Sequence, residues 1–290
     1  MADLELFAPL VSTQWLADHL GADSLVVLDA TVIGVPAEQG FTWLSGLDRH
    51  LIDGHVPGAG FADLLEEFSD PAGAFGFARP DAERFERAAR ELGVDDGSTV
   101  VVYDSALGQW AARLRWLFRS FGFERVAVLD GGFAAWRAEE RPIDLGHAPA
   151  RAAGPLTLEP QEERWADLAE VERISRGEDA GSLVCALPTS DFTGETGARS
   201  RRGRIPGSVS VPLGSVVDRA SGTLKSGGEL EAAIAPAGTS GRIVVYCGSG
   251  IAAAGTALAL ELAGAENVAI YDGSLNEWVH DPARPVETAA

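Results

Sequence analysis

The chain has 290 residues, 46% of them hydrophobic and 23% charged, and a net charge of −20. That length admits one large or two medium domains, and the composition is that of a folded globular protein. The acidic balance argues against nucleic acid or an anionic membrane as a partner, because long-range repulsion opposes the encounter. No apolar run approaches the ~18 residues of a membrane span. The start, MADLELFAPLVSTQWLADHL, lacks the basic and long apolar regions of a secretory signal, so the cytoplasm is the expected compartment. The two cysteines, Cys185 and Cys247, are too few for a disulfide scaffold and show no CxxC spacing for zinc.

In chain order, LVVLDA (25–30) is an apolar run with a turn-prone end, followed by GHVPGA (54–59). VVVYD (100–104) leads into the helix-like QWAARLRWLFRSFG (109–122), and VAVLDGGFAAW (126–136) closes the first half. The stretch RPIDLGHAPARAAGPLTLEP (141–160) is rich in Pro, Ala and Gly without apolar periodicity, as an interdomain linker would be. Beyond it each motif is answered in the same order, by SLVCAL (182–187), GRIPGS (203–208), IVVYC (243–247) and VAIYDGSLNEW (268–278). Four pairs in register, separated by about 150 residues, mark a tandem duplication. The expected domains are 1–145 and 155–290.

In the second half GRIVVY (241–246) reads as a buried strand, AAAGTALALELAG (252–264) as a helix ending in a C-cap Gly, and NVAIYD (267–272) as the next strand. Strand–helix–strand alternation, with strands apolar on both faces, predicts α/β domains, each a mainly parallel sheet flanked by helices.

The stretch richest in chemistry is Cys247-Gly248-Ser249-Gly250-Ile251-Ala252-Ala253. It sets a cysteine at the carboxyl end of a buried strand, where open parallel sheets bind ligands. The glycines let the backbone curl so that several N–H groups converge, and the helix start adds partial positive charge. Together these would stabilise a thiolate and make Cys247 a nucleophile. A structural cysteine at a strand end is the alternative. A cysteine phosphatase would need an Arg to grip phosphate where Ala252 and Ala253 stand, and the G-x-S-x-G elbow of serine hydrolases is absent. Residues 248–253 also fit a relaxed G-x-G-x-x-A with Asp272 downstream, but a dinucleotide fingerprint belongs at the first strand of a larger fold. Cys185, in an apolar setting, is expected in the core, as are Trp110, Trp116, Trp136 and Trp278. His55 is expected to be structural; His280 is a possible base.

The tandem halves, G-H-V-P-G-A with G-R-I-P-G-S, V-L-D-G-G-x-x-x-W (128–136) and Y-D-G-S-x-x-E-W (271–278) together resemble the two-domain rhodaneses over nearly the whole chain. The resemblance implies two similar α/β domains, the second carrying the reactive cysteine. Asp104 occupies the first-domain position of Cys247, so domain one is expected to be catalytically silent. It further implies a sulfurtransferase in which Cys247 takes sulfur from a small donor and passes it to a thiol or cyanide, with neither metal nor organic cofactor. C-G-S-G-I-A is similar to the C-G-S-G-V-T loop of 3-mercaptopyruvate sulfurtransferases rather than to the basic loops of thiosulfate enzymes. Ser249 would then hydrogen-bond the donor, and the loop from Gly248 to Ala253 would hold the charged sulfur.

The chain departs from that family at several positions. Leu65 and Phe77 stand where the family has an Asp and a His behind the loop serine. Cys185-Ala186-Leu187 replaces D-A-R, and Asp191 stands at an Arg position. Arg199 falls near the other substrate-binding Arg; the run Arg199, Arg201, Arg202, Arg204 is either a substitute grip or a solvated charged loop. The alternatives are a thiosulfate sulfurtransferase and, from another class, a persulfide carrier or non-catalytic binding module.

Overall fold

The computed structural model describes Leu4, Leu6, residues 8–38 and residues 40–289. The first half runs β1 (Leu10–Val11), α1 (Thr13–His19), β2 (Leu25–Asp29), β3 (Val32–Pro36), β4 (Phe41–Ser45), α2 (Leu47–Ile52), β5 (Gly60–Phe61), α3 (Ala82–Glu91), β6 (Thr99–Tyr103), α4 (Gln109–Ser120), β7 (Val126–Leu129) and α5 (Gly132–Ala138). The second runs β8 (Trp165–Ala166), α6 (Leu168–Ser175), β9 (Ser182–Cys185), α7 (Thr189–Thr193), β10 (Val209–Ser210), α8 (Leu213–Val216), α9 (Gly227–Ile234), β11 (Ile243–Tyr246), α10 (Ile251–Leu262), β12 (Val268–Tyr271) and α11 (Ser274–Trp278).

Each half forms a parallel five-stranded sheet, ordered β1-β7-β6-β2-β5 in the first and β8-β12-β11-β9-β10 in the second. The two orders are the same order, which gives the duplication read from the sequence a structural form. It extends to single hydrogen bonds. The Tyr103 hydroxyl accepts the Val56 amide at 3.2 Å, and the Tyr246 hydroxyl accepts that of Ile205 at 3.1 Å. Trp136 Nε1 donates to the Pro142 carbonyl at 2.7 Å, and Trp278 Nε1 to that of Pro285 at 2.8 Å. Buried indoles need such acceptors, so these tryptophans are core residues that also tie down the chain after each last helix. Between α5 and residue 162 the chain forms no helix, in keeping with its Pro-, Ala- and Gly-rich composition. No helix among the described residues is long and apolar enough to cross a membrane.

The central strands β6 and β11 are buried along their whole length, and their β-branched runs suit a pleat covered on both faces. Each feeds directly into a twelve-residue helix, α4 or α10, and these two helices pack against each other between the sheets. The large side chains Trp110, Leu114, Leu117 and Phe118 of α4 share one hydrophobic core with Ala253, Ala254, Ala257 and Leu258 of α10. Alanines let the two backbones approach closely while the aromatics supply buried area. At the far end of the contact Glu261 of α10 takes Arg115 at 2.8 Å and Arg119 at 2.5 Å, with Arg164 at 3.4 Å.

An antiparallel hairpin, β3–β4, projects from domain one and was not apparent in the sequence pattern. Gly34 and Pro36 interrupt its first strand, residues that suit an exposed two-stranded edge. Its Trp43 meets Trp110 edge-on at 5.2 Å and Phe77 at 6.2 Å.

Glu261 thus neutralises guanidiniums that have little water to turn to. Glu261→Ala is expected to lower unfolding stability by about 3 kcal/mol, the usual penalty for stranding partly buried charges, read from the urea midpoint at unchanged m-value. A shift under about 1 kcal/mol would show the cluster to be merely a surface network.

Candidate active site

Cys247 follows the last residue of β11 and is 3% exposed. Gly248, Ser249 and Gly250 then turn the chain into α10. Gly250 has φ +77°, a conformation natural to glycine, and a Cβ there would lie 3.0 Å from Arg113 Nη1 and 3.2 Å from Asp272 Oδ1. A Cβ on Gly248 would collide with the Arg199 guanidinium. Gly250 is therefore required by its backbone conformation and close surroundings, whereas at Gly248 only the movable end of the Arg199 side chain would have to give.

The loop is anchored from α11. Ser274 Oγ accepts the amides of Cys247 and Gly250, each at 3.1 Å, and donates to the Tyr271 carbonyl at 2.8 Å. The amides of Leu275 and Asn276 donate to the carbonyls of Cys247 and Gly248, both at 3.1 Å. Ser274 is fully buried with φ +51°, where the matching residue of domain one is Gly132 at φ +56°. A serine in that strained region is retained for its hydroxyl. Sequence reasoning missed it, although the Gly-to-Ser change between VLDGG and YDGS was the available signal. One expectation needs correction: the Gly250 amide does not face the sulfur, because Ser274 already holds it. The amides of Gly248, Ser249, Ile251, Ala252 and Ala253 have no acceptor among the described residues.

Domain one displays what such a corner does to an anion. Asp104 follows β6 as Cys247 follows β11, and four loop residues rather than three lead to α4. Its Oδ1 accepts the amides of Ala106 at 2.7 Å and Gly108 at 3.1 Å; its Oδ2 accepts those of Trp110 at 2.9 Å and Ala111 at 3.0 Å. Burial raises its pKa above the ordinary carboxylate value, and these four amides offset only part of that rise. Trp110 and Ala111 are the second and third residues of α4, the places that Ala252 and Ala253 hold in α10.

Of the expected cationic residues, Arg199 comes to the loop, lying against Gly248 with its Nε donating to Asn276 Oδ1 at 3.0 Å. Its neighbours do not. Arg201 donates to the carbonyls of Asp281 and Arg284, and Arg204 lies over Phe192 at 4.5 Å and pairs with Glu287 at 3.4 Å. Arg202 is exposed. Asp191 takes the Thr196 hydroxyl, which ties it into its own turn. Ser249 is half-buried. Phe77 is buried at φ +64° with its ring 5.2 Å from that of Trp110, so an aromatic wall stands where the family has its His. His55 is buried with both ring nitrogens against carbonyls, a structural arrangement; His280 is exposed. Cys185 is fully buried at the end of β9, and burial pushes its thiol up to about 11. A cavity of about 810 Å³ in domain one, lined in part by residues 147–151, includes none of the loop residues.

The family pattern of the rhodanese-like domain matches residues 12–139 and 187–281. The chain belongs to the rhodanese family. It is 33% identical over 282 residues to the 3-mercaptopyruvate sulfurtransferase of Escherichia coli (strain K12), covering 96% of this chain and 97% of that one. To the thiosulfate sulfurtransferase of Gallus gallus it is 31% identical, covering 93% of each. The solved structure of SseA from Escherichia coli, a 3-mercaptopyruvate sulfotransferase, superposes with a TM-score of 0.81 at 32% identity, covering 92% of this chain and 98% of that one. This rhodanese is a sulfurtransferase that draws on a small sulfur compound.

Ser274→Ala should cost roughly 2–3 kcal/mol, since it strands two buried amides and keeps the strained backbone. Ser274→Gly loses the same hydroxyl without the strain and should be about 1 kcal/mol more stable than the alanine variant. Urea denaturation of both checks this, and equal stabilities would remove the strain argument. The raised Cys185 thiol stays protonated at pH 8, so native protein should leave it unlabelled by iodoacetamide, whereas urea-unfolded protein labels it. The same shift withdraws stability as the pH rises from 9, where the unfolded thiol ionises, towards about 11.

Proposed function

We propose that Cys247 is the residue that carries sulfur, that domain one is catalytically silent, and that 3-mercaptopyruvate is the favoured donor. The observation that carries this reading is the pair of matched corners. Where domain one closes four amides around the Asp104 carboxylate, domain two puts a thiol beside amides that no other group takes. Amides that offset part of the cost of burying a carboxylate would do the same for a thiolate and a persulfide anion.

The reaction is a double displacement. The Cys247 thiolate attacks the donor sulfur, forming a sulfur–sulfur bond as the donor's carbon–sulfur bond breaks. The released carbon takes a proton and leaves as pyruvate. A thiol acceptor, as thiolate, or cyanide then attacks the outer sulfur of the persulfide and regenerates the Cys247 thiolate. The amides of Gly248, Ser249, Ile251, Ala252 and Ala253 hold the charged sulfur. The Ser249 hydroxyl hydrogen-bonds the donor carbonyl without the Asp and His of the family, since Leu65 and Phe77 have no proton to relay. Arg199 holds the carboxylate from its place beside Gly248. A reducing compartment, the cytoplasm, fits this thiol chemistry.

Thiosulfate is the second reading, supported by the Gallus gallus relative; there a sulfur–sulfur bond breaks and sulfite leaves. The neutral pair Gly248-Ser249 disfavours a dianion, so the two donors should be assayed side by side. Wild type is expected to prefer 3-mercaptopyruvate, and a preference for thiosulfate overturns the donor assignment. Arg199→Ala should raise KM for mercaptopyruvate by about ten- to a hundredfold, the loss of one charge-assisted hydrogen bond, with persulfide discharge unchanged. Intact mass after donor treatment should show one added sulfur that Cys247→Ser abolishes and Cys185→Ser keeps. Sulfur mapped to Cys185 would refute the assignment, and a single turnover with every acceptor would make the protein a carrier.

A further inference from the structure

Arg113 belongs to domain one and takes no part in the steps above, yet it is packed against the back of the Cys247 loop. It lies on α4 and is 1% exposed. Its Nη2 donates to the Phe77 carbonyl at 2.8 Å and stands 2.7 Å from Asp272 Oδ1, an ion pair without an aligned hydrogen bond. The guanidinium covers the Trp165 ring at 5.1 Å, and Asp272 Oδ2 accepts the Arg79 amide at 2.8 Å. Nη1 has no hydrogen-bond partner among the described residues. It is the atom nearest to where a Gly250 side chain would begin.

A buried guanidinium with an idle nitrogen is costly, and the pairing with Asp272 alone does not explain why that nitrogen is turned to the loop. Gly250 is the joint between the loop and α10. Ser274 holds its amide from α11, and Arg113 of domain one places Nη1 3.0 Å from where a Cβ on Gly250 would lie. The joint is thus gripped by both domains, and its tilt decides where the amides of Ile251 and Ala252 point. We propose that Arg113 is a positioning residue for sulfur transfer: through the Gly250 contact the silent domain braces the loop and fixes the direction of the amides that receive the charged sulfur. This rests on Cys247 being the sulfur carrier.

The test uses the full chain with Arg113→Met and Arg113→Lys, assayed with whichever donor wild type turns over. Arg113→Met should lower kcat by about ten- to a hundredfold, the cost of a sub-ångström misplacement at a reacting group, while KM stays within about twofold. Arg113→Lys, which keeps the charge without the planar fork, should fall between Met and wild type. Without any donor, the pH profile of Cys247 alkylation should move to higher pH in Arg113→Met, with Cys247→Ser as the blank. A folded Met variant with wild-type kcat and alkylation profile overturns the proposal, as does a loss confined to KM. If the Met variant does not fold, the Lys variant decides, since a kcat equal to wild type there also overturns it. Turnover persisting in Cys247→Ser would instead refute the carrier assignment, which separates the two failures.

Discussion

The contact between α4 and α10 is the constraint from which the site follows. Each helix begins at the corner where a central strand ends, so fixing the two helices against each other fixes both corners. The fit is asymmetric in volume, with aromatic and leucine side chains on α4 and alanines on α10, and it merges the two domains into one core. A core that is continuous across domains leaves little freedom for rigid-body motion. The loop beside Cys247 inherits that rigidity, because Arg113 and Gly250 sit at the start of the same contact and Glu261 clamps its far end.

The duplicated corners show one backbone device used for two ends. In domain one the chain supplies its own anion. Asp104 is buried with four amide donors, a satisfied arrangement that stabilises the turn and leaves nothing for a ligand. In domain two the acid is replaced by a thiol and the loop is one residue shorter. The amides that a carboxylate would have taken have no acceptor among the described residues, so local backbone satisfaction is given up at this corner. Ser274 compensates in part by taking two of the amides that the shortened loop could not otherwise satisfy.

Much of this was legible in the sequence, and the limits have physical causes. The β-branched runs at 100–104 and 243–246, the helices after them and the four repeated motifs are local patterns, and they gave the fold class and the duplication and made Cys247 the candidate nucleophile. The resemblance singled out Arg199, but the run of four arginines it opens left a solvated charged loop as the alternative. Which of them turns to the loop depends on Arg201 and Arg204 finding partners in the C-terminal segment, and no local pattern carries that. Ser274 and Arg113 reach the loop from 24 and 137 residues away, judged from Gly250, and neither spacing belongs to a helical or strand period. The Gly250 amide was misread for the same reason: a Gly-x-Gly turn reads as open until its partner on the next helix is known.

The extra residue in the first-domain loop bears on how the two halves could have diverged, and on whether they could converge again. Replacing Asp104 by cysteine would put a sulfur atom at the end of β6, but within a loop whose path is set by four residues and two carboxylate oxygens. The neighbouring position would still be Gly132, with no hydroxyl to draw in the amides that Ser274 holds in the other half. Giving this corner the form of the other would need a deletion and at least two substitutions together: replacing Asp104 alone strands four amides, and a side chain at Gly132 alone would run into the Asp104 carbonyl. The closed Asp104 corner therefore makes the difference between the halves hard to undo one substitution at a time.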